Sequence, residues 1–176
     1  MNTKRLLTLL IGLLLTTFAM AEGERVRILF NFDWKFKLGE TANGERPELN
    51  DADWRKLDLP HDYQIEMPWY NDKASRGRGF KKMSTGWYRK TFNADPVWKG
   101  KKVFLDFEGI MLHGDAYLNG KKIGGTDYGY LGFEADVTKL LKYDALTCWR
   151  CTVRQARPRT RAGIPVVDCS VMCMSC

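Results

Sequence analysis

The sequence predicts an all-β fold, a β-sandwich, and three observations carry that prediction. Short strand-like runs recur between turn signals at the spacing of an antiparallel sandwich. Lys102 to Phe107 alternates strictly, with Val103, Leu105 and Phe107 on one face and Lys102, Phe104 and Asp106 on the other. Tyr117-Leu118-Asn119-Gly120-Lys121 puts Asn-Gly at a hairpin tip, where both central residues need φ > 0. No internal repeat, low-complexity segment or heptad competes with this reading.

The elements follow in order. Arg25 to Phe30 and Trp34 to Leu38 read as early strands, and Asn43-Gly44 with Pro47 marks a loop. Asp51 to Trp54 reads as a short turn or helix start with Asp as cap. Arg55 to Leu59 is a brief strand that stops at Pro60, and His61 to Lys82 is a long polar loop. Gly86 to Phe92 is a clear strand. Phe133 to Val137 starts another, and Leu140-Leu141 fits one helical turn.

Three segments differ in kind: residues 1–21, 22–144 and 145–176. In the first, Lys4 and Arg5 precede an apolar run from Leu6 to Phe18, and Ala19-Met20-Ala21 is a small-x-small cleavage site. That is the pattern of a secretory signal peptide, with an apolar run short for a membrane span. The expected product is periplasmic or secreted, with no membrane association after cleavage.

Net charge is +7, but it is unevenly placed. Lys4 and Arg5 hold +2, and residues 145–176 hold +4 from five Arg and one Asp, which leaves +1 for Glu22 to Asp144. A near-neutral body lacks the basic stripe that a phosphate backbone requires, so no nucleic-acid partner is expected.

The last 32 residues hold all five Cys and no Lys, Glu, Asn, Phe, Tyr or His. Cys148-x-x-Cys151 with Cys169, Cys173 and Cys176 fits a zinc site or, in an exported chain, disulfides with one Cys left over. Either would make the chain a Cys-rich interaction protein stabilised by metal or disulfide. A change of reading frame explains more. Regrouping each third base with the next two permits Asn-Val-Leu-Ala-Val over Leu146 to Cys151. From Arg159 to Ser175 it permits Asn-Ser-Arg-Trp-Tyr-Thr-Gly-Gly-Gly-Leu-Phe-Arg-Asp-Val-His-Val. The first is strand-like, and the second is a Gly-rich turn leading into a strand. On this reading residues 145–176 are an out-of-frame, disordered tail.

Several blocks together carry a family resemblance. These are Trp34, Leu59-Pro60-His61-Asp62, Gly86 to Phe92, Phe107-Glu108-Gly109-Ile110, Ala116 to Gly124, and Gly129 to Thr138. In this order they resemble the N-terminal sugar-binding domain of glycoside hydrolase family 2, in its β-galactosidase branch, over about Phe30 to Asp144. The out-of-frame peptides resemble the next two blocks of that domain. The resemblance implies a jelly-roll, galactose-binding-like β-sandwich, incomplete at its C-terminal strands. It also implies an N-terminal fragment of an enzyme that hydrolyses O-glycosyl bonds of a β-galactoside or related glycan. In the family two carboxylates about 5 Å apart do this with retention, and they lie in a downstream barrel. No residue here matches those motifs, so the chain alone is expected to be inactive, with no catalytic residue, cofactor or metal assigned.

The physics of the blocks is mainly structural. Trp34, Trp87 and Phe107 are large enough to fill the space between two sheets, and Gly109, Gly124 and Gly125 suit kinks or close backbone approaches. His61 and Asp62 are adjacent in a loop, but neighbours on an extended chain point opposite ways. His113 reads as a strand-edge histidine. In the long loop, Trp69, Tyr70, Asn71, Asp72, Arg76 and Arg78 are of the types that stack on sugars or bond their hydroxyls. Tyr70, Asn71 and Asp72 are the candidate sugar contacts. A free-standing carbohydrate-binding module is the alternative reading, and it needs an exposed aromatic platform.

Overall fold

Val103, Leu105 and Phe107 are all fully buried, as their alternation requires, and they lie at the centre of one of two antiparallel sheets. The computed structural model describes residues 25–69, 81, 84–110, 113–128, 131–141 and 143, with the backbone of 148–155 and 167–174. The strands are β1 (Arg25–Leu29), β2 (Trp34–Leu38), β3 (Arg55–Leu57), β4 (Gly86–Asn93), β5 (Lys102–Ile110), β6 (Gly114–Leu118), β7 (Lys121–Thr126), β8 (Phe133–Asp136), β9 (Cys148–Gln155) and β10 (Val167–Met174). A short helix, α1, spans Tyr63–Glu66, and a 3-10 turn spans Pro96–Trp98. One sheet runs β1-β10-β5-β8 and the other β3-β2-β4-β9-β6-β7. This is the β-sandwich that the turn spacing predicts.

The core draws on both sheets. Trp34, Phe36, Tyr88, Ala116 and Leu118 come from the six-stranded sheet, and Val103, Leu105, Phe107, Ile110 and Ala135 from the four-stranded one. Each large apolar side chain so buried contributes roughly 1.5–3 kcal/mol. Phe107 stacks on Phe133 with ring centroids 4.8 Å apart, and Phe30 meets Phe92 edge to face at 4.9 Å. The β6–β7 hairpin turns at Asn119 (φ 49°) and Gly120 (φ 80°), both in the left-handed region that an Asn-Gly turn demands.

Two expectations need correction. Trp87 is buried, yet it lies outside the core cluster. It alternates with Tyr88, so its ring sits on the other face of β4, where a Cβ on Gly44 would meet it at 2.5 Å. Gly124 and Gly125 do lie at close approaches, but Gly109 has open space where a Cβ would stand.

Two strands lie within residues 145–176, and both take internal positions. β9 pairs β4 and β6, with Val153 opposite both Tyr88 and Ala116. β10 pairs β1 and β5, with a register shift between Asp168 and Ser170. Ladder bonds are made by the main chain and are indifferent to side-chain identity. The alternation Trp149, Cys151, Val153 against Arg150, Thr152, Arg154 also has the period a strand needs.

Candidate functional site

The excursion between β3 and β4 carries a connected polar cluster among the described residues. It leaves β3 through a cis Leu59–Pro60 peptide. His61 and Asp62 then diverge, as adjacent residues on extended chain must. Asp62 caps α1, its carboxylate accepting from Gln64 N at 2.8 Å, and burial raises its carboxyl above the usual range despite that bond. His61 turns the other way, with Nδ1 3.0 Å from Tyr88 Oη and Nε2 3.0 Å from an Arg55 nitrogen. Nε2 also lies 3.3 Å from Glu66 Oε1, so both ring nitrogens have polar partners.

Arg55 donates to both Glu66 oxygens, at 2.9 and 2.8 Å, and that guanidinium holds the Glu66 carboxyl below the usual range. Burial pushes the Tyr88 phenol well above its ordinary value. Four segments therefore meet at His61: β3 through Arg55, the Pro60 turn, α1 through Glu66, and β4 through Tyr88. A histidine beside a carboxylate can move protons. Here both ring nitrogens are engaged by structural partners, so the cluster acts as a staple.

The neck of the excursion is closed by its own residues. Tyr63 Oη donates to Ser84 O at 2.6 Å. Lys81 Nζ donates to Met67 O at 2.5 Å and Ile65 O at 3.2 Å, and it stands 4.3 Å from the centroid of the Trp69 ring. Trp69 and Lys81 also form an antiparallel bridge. The candidates Tyr70, Asn71 and Asp72 lie outside the described residues, as do Arg76 and Arg78. Trp69 is described and is 72% exposed.

Two other polar groupings are explained by packing. Asp106 and Glu108 share one face of β5, roughly 7 Å apart along the strand, which superficially suits a carboxylate pair. Both are bound by Arg27 on an open sheet face. Buried Arg89 donates to the carbonyls of Arg46 (2.9 Å), Leu49 (3.3 Å) and Pro47 (3.4 Å), and its Nε lies 3.5 Å from Asp51. It ties the Glu40–Trp54 loop onto the outer face of the six-stranded sheet. A hollow lined by Ala42, Asn43, Arg46, Glu48 and Leu49 belongs to that loop and has no aromatic wall. His113, with φ 54°, stands at the start of β6 and pairs with Asp127 at 2.9 Å. Among the described residues no group of His, Cys, Asp and Glu is placed to hold a metal ion, and no helix is long and apolar enough to cross a membrane.

The two-sheet sandwich has known relatives. Residues 55–162 match the family described as glycosyl hydrolase 2 galactose-binding domain-like, a match that runs past Ala145. The chain belongs to this family of galactose-binding-like domains of glycoside hydrolase family 2. It is 40% identical over 121 residues to the β-galactosidase BoGH2A of Bacteroides ovatus, covering 68% of this chain and 14% of that protein. It is 34% identical over 120 residues to a β-glucuronidase of Bacteroides fragilis, covering 68% of this chain and 15% of that one. Among solved structures, a family 2 member from Bacteroides cellulosilyticus superimposes with a TM-score of 0.73 at 31% identity, over 84% of this chain and 20% of that chain. The chain thus spans about a seventh of these curated relatives and a fifth of that solved chain.

Sequence reasoning missed Lys81 and Arg89. A lysine at a loop neck, or an arginine alternating in a strand, reads as a solvated charge. Both bind carbonyls brought near only by the fold.

Proposed function

We propose that this chain is the N-terminal part of an exported, β-galactosidase-like family 2 glycoside hydrolase, periplasmic or secreted. Hydrolysis of O-glycosyl bonds in a β-galactoside or related glycan belongs to a catalytic barrel beyond these residues. The single observation that carries the reading is the match over residues 55–162, together with β-galactosidase and β-glucuronidase relatives between about four and five times as long. The domain's part is to present the β3–β4 excursion to the barrel and its glycan.

The purified chain, free of host enzyme, is expected to release no nitrophenol from nitrophenyl β-galactoside or β-glucuronide. The gene product extended through the barrel is expected to turn over at least one of them. Turnover by the chain alone, or none by the extended product with any β-glycoside, would sink the reading. The out-of-frame reading of residues 145–176 stays with it as a proposal. One pass of DNA sequencing across those codons decides it, by finding or not finding a one-base shift that yields Asn-Val-Leu-Ala-Val and the Gly-rich block.

A further inference from the structure

An exposed tryptophan whose orientation is fixed from behind is an unusual use of a large apolar ring. Trp69 is 72% exposed, while Trp34, Trp54, Trp87 and Trp98 are all buried. Its ring is nonetheless held. Lys81 sets its ammonium 4.3 Å from the centroid, a cation–π distance, and the same nitrogen donates to Ile65 O and Met67 O. Two carbonyls and one π-face use the three directions of an ammonium group. The backbone bridge between Trp69 and Lys81 fixes the ring's base as well. One face of the indole is therefore committed to Lys81, and the other faces solvent in a set orientation.

We propose that the outer face of Trp69 is a glycan-stacking site that takes the pyranose ring of a β-glycoside. The axial C–H groups on one side of a galactose or glucuronic acid ring form an apolar patch of indole size. Stacking such a patch on a rigid ring removes apolar surface from both while immobilising little that was free. The Lys81 charge is spent on carbonyls behind the ring, so recognition rests on the C–H face. Neutral and uronic pyranosides are therefore expected to bind within a few-fold of each other. The ligand class rests on the glycosidase reading above. The site itself rests on the geometry of Trp69 and Lys81.

The test is a calorimetric titration of the full chain with methyl β-galactoside and, separately, methyl β-glucuronide. Expected is millimolar binding of both, weakened about tenfold in Trp69→Ala, the loss of one stacking contact, and kept within about threefold in Trp69→Phe. Both variants should retain the wild-type circular dichroism spectrum and melting midpoint, because the ring is exposed. Lys81→Met should weaken binding while leaving Trp69 in place. Equal binding by wild type and Trp69→Ala overturns the site, as does no binding by a folded wild type. So does protection of Trp69 from iodide quenching by the barrel domain and not by sugar. Sugar binding through Trp69 with no turnover by any extended product upholds the site and removes only the glycosidase reading. Turnover without Trp69-dependent binding does the reverse.

Discussion

Arg27 on β1 reaches Glu108 on β5 at 2.6 Å and also contacts Asp106, although β10 lies between the two strands. The guanidinium spans the outer face of the intervening strand and ties β1 to the sheet independently of what β10 contains. Arg27 and Glu108 are about half exposed and Asp106 is mostly covered, so the Glu108 arm of the tie is weak and salt-sensitive. Arg27→Ala is expected to cost about 0.2–1 kcal/mol at low salt and less at high salt. Urea melts at two ionic strengths measure it, and a loss that does not shrink with salt contradicts the strap.

Arg89 is a different case, at 1% exposure with terminal nitrogens donating to three loop carbonyls and Nε in a 3.5 Å ion pair with Asp51. Arg89→Met strands those carbonyls, while Asp51 keeps Lys35 at 2.7 Å, and a loss of about 1–3 kcal/mol is expected. Arg89→Lys should recover little, since one ammonium cannot reproduce a planar fork. Chemical denaturation of the two variants checks both statements, and full rescue by lysine would refute the account.

The staple at His61 has a pH signature with two signs. Glu66 is held below its ordinary range by Arg55, so its contribution is fully present above about pH 4.3 and is lost as pH falls through the lower folded value. Asp62 is raised by burial, so the folded state holds its proton longer and stability falls as pH rises through that raised value. Glu66→Gln should flatten the acid loss of stability, and Asp62→Asn should steepen it. Thermal melts across pH 3 to 6 read both slopes, and identical slopes in the two variants would rule out this assignment.

Gly44 fixes how closely the loop seats on the sheet, since a Cβ there would stand 2.5 Å from the Trp87 ring. Gly44→Ala is expected to cost about 1–3 kcal/mol by forcing the loop off Trp87. A red shift and stronger quenching of tryptophan fluorescence should accompany the loss, and an unchanged midpoint would count against it.

Much of the fold was legible because it rests on local rules. The alternation in Lys102 to Phe107 and the Asn119-Gly120 turn are local facts, and each needs only a few residues to be read. What escaped depends on distance. Tyr63 Oη finds Ser84 O across the excursion, and Arg89 finds carbonyls some forty positions away in the chain. α1 is only four residues long, too short for a periodic signal, and Asp62 was its one mark. Trp87 was read as core because its size said buried, while the strand's parity, which decides the face, was not applied.

The pairing of β9 and β10 has a consequence for how the chain is made. β9 joins β4 to β6, and β10 joins β1 to β5, so each sheet lacks a middle strand until Cys148–Met174 has been made. Up to that point the ribosome has released only separate ribbons with exposed edges. Small domains close as units once their last partner is available. Strand order thus sets a timer, and its last tick is the emergence of β10.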